Sequence, residues 1–422
     1  MHEPPQKILL GVCGSISAYR SYDVLRHWYK KGLEVKVVLT RGAEKFVQPE
    51  LFRYLGASAV YTDADYFTPP REGFNNPYVL HIDLARWADL VVICPASANT
   101  LAHMAQGYAE SLLDSIFLAA SDKPVVLYPS MNTNMLAHPL TQQNMDTLGR
   151  LPNVFIHPAT SGTLACGETG DGKLPDVPRI GEFSPVINPL CLDYTSPRVK
   201  NVVITTGATI SPLDPVRYLT NPSSGLTGYY LAIKYLVEGH RVTVVTGRKA
   251  TEQLDYLTAH PGYTLHLVTT TSDMRDKVME LLPNMDLYIS AAAPCDIEFA
   301  TQNTKLKKES LGNTLPIMRA PDILLEVLQK RRDDQFVVGF AAESGASQEI
   351  FIEKWHKKPV DLLIGNFVQH GLEEGGQPQG FSCEDNRYYI LSKGEIQDVR
   401  TMTKVELARE IYRRTIGLSE ES

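Results

Sequence analysis

Apolar and polar positions alternate in blocks of two periods along the first forty residues. Ile8 to Val12 is an apolar run of strand length, and glycine and serine follow it at Gly14 and Ser15. An amphipathic stretch comes next, and after Gly32 a second valine-rich run begins in "KKGLEVKVVLT". This order predicts strand, glycine turn, helix, glycine stop and strand. The plan recurs from "NVVITTGATI" to "VEGHRVTVVTG", with a longer first loop and Gly239 as the stop. Each block is a βαβ crossover, which lays strands parallel and covers the sheet with helices.

Short apolar runs predict further buried strands at "DLVVICP", "PVVLYPS" and "NVFIHP", then at "DLYISAAA", "FVVGFAA" and "DLLIGN". Between the two sets lies "SPVINPLCLDYTSPR", broken by prolines at 185, 189 and 197. That stretch reads as the boundary, giving domains 1–188 and 189–422. The expected fold class is α/β, with two doubly wound parallel-sheet domains. Ligands are then expected in the loops that follow the carboxyl ends of the strands.

A chain of 422 residues fits two such domains. The net charge of −7 argues against a nucleic-acid partner held by phosphate neutralisation, and leaves room for a local basic pocket. The start has no basic segment leading into an apolar one, and no run is long enough to span a membrane. Six cysteines (13, 94, 166, 191, 295 and 383) are scattered without a CxxC pair. The expectation is free thiols in a reducing cytoplasm and no zinc site.

"GVCGSISAYR" places Gly11, Gly14 and Ser15 between a strand and a helix start, where free N–H groups suit a phosphate. The pattern is not GxGxxG, so alone the signal is weak, and a plain tight βα connection is the alternative reading. Thr40 ends the next strand, "CPASANT" brings Ser97 and Asn99, and "YPSMNTNM" brings Ser130, Asn132 and Asn134. Each of these can simply cap a helix, yet their convergence on one sheet edge favours a ligand site. "TSGTLACGETGDGK" carries Cys166 among glycines 162, 167, 170 and 172. It reads as too glycine-rich for a helix or a strand, hence as a mobile loop with a reactive thiol.

"GSISAYR", "HIDLARWADLVVICPASANTLAHMAQG", "PSMNTNM" and "ACGETGDGK", in that order, resemble the flavin-dependent phosphopantothenoylcysteine decarboxylases. The resemblance covers nearly all of residues 7 to 180 and implies a flavodoxin-like flavoprotein domain. It implies FMN as the electron sink: the cysteine side chain is oxidised to a thioaldehyde, the carboxylate beta to C=S leaves, and the enethiol is then reduced. By the same correspondence Cys166 is the flap cysteine of that last reduction, His81 the catalytic histidine, and Asn132 the holder of the substrate carboxylate. Gly14, Ser15, Thr40, Ser97 and Asn99 become FMN contacts. Without the resemblance, His81 reads as a helix-start histidine with a structural hydrogen bond. Two positions depart from the family: Ser130 stands where alanine is frequent, and Lys173 where arginine is common, so the charge survives without the bidentate fork.

In the second half, a loop with prolines 212, 215 and 222 leads to Ser223, Ser224 and Gly225 at a helix start, which suits an anion. "TKLKKES" gathers Lys305, Lys307 and Lys308, a run that alone reads as a solvated face. "DPVRYLTNPSSG", "SAAAPCD", "TKLKK", "APDIL", "VGFAAES" and "DLLIGN" resemble the phosphopantothenate–cysteine ligase domain that bacteria fuse to the decarboxylase.

The resemblance implies a Rossmann-like domain that activates 4'-phosphopantothenate with CTP and Mg2+ as an acyl cytidylate, which cysteine then attacks. Asn221 matches the asparagine that handles the acyl intermediate, and Lys305 the lysine that neutralises triphosphate charge. Asp296 matches the nucleotide pocket. Ser223, Ser224, Lys307, Lys308, Asp322 and Asn366 join it as binding candidates, and Asp296 and Asp322 read equally as helix caps. No metal ligand is assigned. The family's "SSGKMG", "AAVADY" and "GGTREPID" are here "SSGLTG", "AAPCDI" and "GATISPLD", so Leu226, Ile297 and Ile210 replace a lysine, a tyrosine and an arginine. The resemblance also implies a homo-oligomer, with a trimeric decarboxylase and a dimeric ligase that a dodecamer would satisfy together. Two rival readings remain: a decarboxylase of C-terminal peptide cysteines, and an active decarboxylase carrying a degenerate ligase-like domain.

Overall fold

Strands form where the apolar runs place them. The computed structural model describes residues 7–68, 79–151, 153–163, 165, 167–178, 180, 181, 184, 199–248, 252–258, 260, 262–300, 304–307, 315–344, 347–368 and 385–416. The chain divides into two compact units, Met1–Tyr194 and Thr195–Ser422. The proline-broken stretch read as the boundary falls largely outside the described residues.

In the first unit, β1 (Lys7–Val12), β2 (Glu34–Leu39), β3 (Ala59–Thr62), β4 (Leu90–Ala96), β5 (Val125–Pro129) and β6 (Val154–Ile156) form one sheet. Its order is β3-β2-β1-β4-β5-β6, and every pair is parallel. The helix Ser21–Lys30 crosses from β1 to β2. It buries Val24, Leu25 and Trp28, one helical turn apart, and ends before Gly32, whose φ of 79° only glycine adopts without strain. The opposite crossover places Leu101, Leu113, Ile116 and Leu127 in one core with Leu9, Val91 and Ile93.

The segment around Cys166 departs from expectation. β7 (Thr160–Thr163) and β8 (Thr169–Lys173) pair as an antiparallel hairpin. Glycine is needed there by close packing. A Cβ at Gly172 would stand 2.1 Å from the Met131 carbonyl oxygen, and one at Gly170 would stand 2.5 Å from Thr133 Oγ1. Backbone pairing makes the strands, and the missing side chains let them lie flush on the loop after β5.

The second unit repeats the plan with β9 (Asn201–Thr206), then β10 (Ile210–Pro212) and β11 (Tyr218–Thr220) as a small antiparallel pair inside the proline loop. β12 (Arg241–Gly247), β13 (Tyr263–Val268) and β14 (Leu287–Ser290) follow, then the short pair β15 (Ile297–Phe299) and β16 (Ile317–Arg319). β17 (Phe336–Glu343), β18 (Leu362–Phe367), β19 (Asp385–Ser392) and β20 (Glu395–Thr403) complete it. The main sheet runs β13-β12-β9-β14-β17-β18-β19-β20. It is parallel as far as β18 and antiparallel beyond, so it is mixed at that edge.

In order of appearance, the six parallel strands of each unit read 3-2-1-4-5-6, the doubly wound order, not the 2-1-3-4-5 order of flavodoxin itself. The helix Leu226–Val237 lies close on β9 because residue 228 is glycine: a Cβ there would meet Thr206 Cβ at 2.3 Å. The same helix packs against the final helix, Lys404–Ile416, where Tyr235 and Thr415 share a 2.6 Å hydrogen bond. No helix among the described residues is long and apolar enough to cross a membrane.

Candidate active sites

In both units the strand order reverses between the first and fourth strands, and the crevice beyond their carboxyl ends is where a doubly wound sheet leaves room for a ligand. In the first unit two adjoining cavities open there. One, of about 260 Å3, is lined by Gly14, Thr40, Ser97 and Asn99; the other, of about 640 Å3, by Gly14, Ser15, Ser97, Asn132 and Lys173. Gly14 lies against Gly42, whose Cα would be 2.9 Å from a Cβ at position 14, so the turns after β1 and β2 touch through backbone alone.

The capping reading and the ligand reading coexist here. Ser15 caps the short helix Ile16–Arg20 through Ser17 N. Its hydroxyl lies 3.0 Å from Ser17 Oγ, which lies 2.8 Å from Ser130 Oγ. Ser130 thus closes a chain of three hydroxyls. Ser97 accepts from Thr100 N at 3.3 Å and caps Ala98–Gln106. Thr40 Oγ1 accepts from Ala43 N at 3.3 Å.

Asn132 is held at both ends of its amide. Its Oδ1 accepts from Asn134 N at 2.9 Å, and its Nδ2 donates to Glu168 Oε2 at 3.0 Å. The amide therefore already engages a carboxylate. The hairpin that carries Glu168 is pinned to the same loop: Met131 N donates to Gly172 O at 3.1 Å, and Thr133 Oγ1 to Asp171 O at 2.7 Å. Cys166 lies between the two strands of that hairpin, outside the described residues.

His81 is not with them. It sits on the helix Leu80–Trp87, edge-on to Tyr66 with ring centres 5.6 Å apart, and lines neither cavity. Its Nδ1 is buried without a hydrogen-bond partner among the described residues. The structural hydrogen bond expected of a helix-start histidine is therefore not made by that nitrogen. Cys13 and Cys94 are free but fully buried. Burial pushes the Cys13 thiol up to about 11 and Cys94 further, so neither is a nucleophile near neutral pH.

In the second unit a cavity of about 270 Å3 opens beyond β9 and β14. Asn221, Ser223, Ser224, Asp296 and Asn366 all line it, as does Leu226. Asn221 Nδ2 donates to Ala293 O at 3.3 Å and Pro294 O at 2.9 Å, which commits its NH2 end and leaves its oxygen for a ligand. Gly225, with φ of 79°, opens the helix Leu226–Val237 without a side-chain cap. Leu226 N donates to Ser224 Oγ at 3.4 Å, so of the helix's first N–H groups the one at residue 226 is already engaged.

Lys305 and Lys307 are exposed and do not line the cavity; Lys308 lies outside the described residues. Their segment is anchored between them. Leu306 N donates to Asp214 Oδ2 at 3.2 Å, and Arg217 Nη2 donates to Leu306 O at 2.9 Å and to Asp214 Oδ2 at 2.5 Å. These bonds hold the Asp214 carboxyl well below the usual carboxylate range. Asp322 also lies apart: it caps Ile323–Lys330 through Leu325 N at 3.1 Å and pairs with Lys358 at 2.6 Å. Among the described residues no cluster of three His, Cys, Asp or Glu side chains could hold a metal.

Two family models match the chain: a flavoprotein model over residues 1–185, and the DNA/pantothenate metabolism flavoprotein C-terminal domain over residues 198–418. The coenzyme A biosynthesis bifunctional protein CoaBC of Bacillus subtilis is 33% identical over 421 residues, covering 99% of this chain and 98% of that one. Its counterpart in Vibrio vulnificus (strain CMCP6) is 35% identical over 397 residues and 92% of each chain. That of Escherichia coli (strain K12) is 33% identical, over 92% of this chain and 90% of that one. The chain belongs to the CoaBC family. Among solved structures, the C-terminal domain of a CoaBC protein is 26% identical and covers 54% of this chain and 99% of that one, with a TM-score of 0.42.

Within the CoaBC frame, one departure has a local explanation. Ser211, where the family has glutamate, is fully buried and accepts from Phe299 N at 3.0 Å, tying β10 to β15. Ile210 and Ile297 lie on those same two strands, and Leu226 replaces the lysine at the cavity itself. Three lining residues escaped the sequence reading: Asn386, Tyr388 and Lys404, from β19 and the start of the last helix. "TKVE" at 403–406 has the pattern of a capping box and marks that helix start, though nothing in it points to the cavity.

Proposed function

We propose that the second half couples 4'-phosphopantothenate to cysteine through a CTP-derived acyl intermediate, and that the first half decarboxylates the product to 4'-phosphopantetheine with FMN. Full-length similarity to CoaBC proteins supports the pairing. The single observation that carries the reading is that each half has a formed cavity at its switch point with a committed asparagine amide on its wall, Asn132 in one and Asn221 in the other.

The first-half cavities fit a flavin. They combine apolar walls from Ile16, Ala98, Met131 and Leu174 with the hydroxyls of Ser15, Ser17 and Ser97, as a flat ring with a polar edge and a phosphate tail requires. FMN supplies, when bound, the acceptor and later the donor of an electron pair. The protein supplies the rest. Asn132 binds the substrate carboxylate through a neutral N–H donor, which orients it without a full positive charge that would oppose loss of CO2. The hairpin covers the reacting atoms and excludes water, and Cys166 delivers the final proton. His81 completes the site from a neighbouring copy, in keeping with a trimer.

In the second half the Ser223–Leu226 turn receives phosphate, Asp296 and Asn366 bound the nucleotide, and Lys305 with Lys307 and Lys308 closes over the triphosphate. Mg2+ arrives on the nucleotide; among the described lining residues Asp296 is the one carboxylate that could meet it.

Two variants test this assignment. Cys166→Ser is expected to release CO2 from phosphopantothenoylcysteine and to accumulate the oxidised enethiol, read by mass spectrometry. Normal reduction by that variant defeats the flap assignment. Lys305→Ala is expected to abolish amide formation and to spare decarboxylation. If amide formation persists, the ligase site is elsewhere.

A further inference from the structure

Glu168 occupies a seat that the reaction needs for something else. Asn132 Nδ2 donates to Glu168 Oε2 at 3.0 Å, across 36 residues of chain. The amide is fixed: its Oδ1 accepts from Asn134 N at 2.9 Å, so the NH2 end faces the hairpin. The hairpin is fixed as well. Thr133 Oγ1 donates to Asp171 O at 2.7 Å and Met131 N to Gly172 O at 3.1 Å, and Gly172 lies flush on the Met131 carbonyl. Glu168 thus reaches Asn132 from just before these anchors.

An exposed glutamate is well served by water, and tying its side chain down costs rotamer freedom. What it meets here is a carboxylate receptor, a neutral N–H donor on the wall of the cavity of about 640 Å3. The substrate brings a carboxylate to that amide, and the product does not. Two carboxylates on one amide nitrogen stand close enough to repel each other, so the amide holds one at a time.

We propose that Glu168 is the resting occupant of the substrate-carboxylate seat on Asn132: the substrate displaces it on binding, and it returns once that carboxylate has left as CO2. The proposal rests on the reading of Asn132 as the holder of the substrate carboxylate. Glu168 makes and breaks no covalent bond; it exchanges a hydrogen bond for water and back. Its return gives the amide a partner that the product cannot supply.

Binding to the full-length, FMN-loaded protein tests this with two ligands that lack the thiol and so escape oxidation. 4'-Phosphopantothenoylalanine keeps the carboxylate, and the matching ethylamide lacks it. Calorimetry is run on wild type, Glu168→Ala, Glu168→Gln, Asn132→Ala and the double variant Asn132→Ala/Glu168→Ala. Removing the competitor in Glu168→Ala is expected to tighten the alanine ligand about three- to tenfold, as for one exposed hydrogen bond to a charged acceptor. Glu168→Gln, which keeps an acceptor without the charge, is expected to tighten it less. The ethylamide is expected to bind both variants like wild type, which also shows that the cavity is intact. In the Asn132→Ala background the gain from Glu168→Ala is expected to vanish. Unchanged affinity of Glu168→Ala for the alanine ligand overturns the proposal. So does an equal change for both ligands, which would make Glu168 part of the hairpin's own fold. So does a gain that persists beside Asn132→Ala, which would be charge repulsion alone. If adding Asn132→Ala to Glu168→Ala leaves the alanine ligand bound as before, the reading of Asn132 falls, and the proposal with it.

Discussion

A neutral amide is fixed by two hydrogen bonds on the wall of a cavity in each unit. Asn132 spends its oxygen on Asn134 N and its nitrogen on Glu168, and Asn221 spends its nitrogen on two backbone carbonyls. Aspartate is nearly isosteric at either position but inverts the electrostatics. Asn132→Asp sets a carboxylate against Glu168 and the substrate carboxylate; decarboxylation is expected to fall at least about tenfold with amide formation unchanged. Asn221→Asp sets a carboxylate against Ala293 O and Pro294 O, and the opposite pattern is expected when both steps are assayed on one preparation. A further residue-scale effect concerns pH. His240 is buried and accepts from Lys200 N at 3.1 Å, and burial lowers its pKa from 6.5 to about 4. The unfolded chain takes up the proton first as pH falls below 6.5, so this stabilisation is present above that value and lost on the way down to about 4. Between pH 7 and pH 5 the second unit is expected to lose up to about 2 kcal/mol from this group. Thermal unfolding of wild type and His240→Asn at both pH values measures it: a pH response unchanged in the variant would assign the effect to other groups.

At the scale of elements, the alternation of apolar runs and glycine stops made the crossovers legible, because a buried parallel strand and its covering helix each leave an uninterrupted periodic trace. The hairpin around Cys166 left none. Its glycines suggested a mobile loop, whereas Gly170 and Gly172 are demanded by contact with Thr133 and Met131. Composition cannot tell a glycine chosen for freedom from one chosen for lack of a side chain. Gly172 also has φ of 121°, so Gly172→Ala is doubly opposed. That variant is expected to lift the hairpin from Asn132 and lower decarboxylation, with increased proteolytic cleavage between residues 160 and 173; an unchanged rate and cleavage pattern would mean that the hairpin does not need this seat.

For the molecule as a whole, both sheets reverse at the same place in the strand order, and both cavities open at that place. This much followed from the repeated strand–helix plan. The antiparallel extension β19–β20 did not, and it brings Asn386 and Tyr388 on β19, and Lys404 at the helix that follows β20, to the cavity from positions remote in sequence. Long-range placement of that kind has no local periodicity to reveal it. His81 lines neither cavity of its own chain; under the proposed function it serves a neighbouring copy, a placement that no local pattern in the sequence encodes. The central claim is that one chain performs two consecutive reactions. Its most direct test is to incubate the purified protein with FMN, 4'-phosphopantothenate, cysteine, CTP and Mg2+, and to weigh the products by mass spectrometry. The account predicts 4'-phosphopantetheine, with phosphopantothenoylcysteine as a transient. If neither compound forms, and supplied phosphopantothenoylcysteine is also left intact, both halves of the account are contradicted.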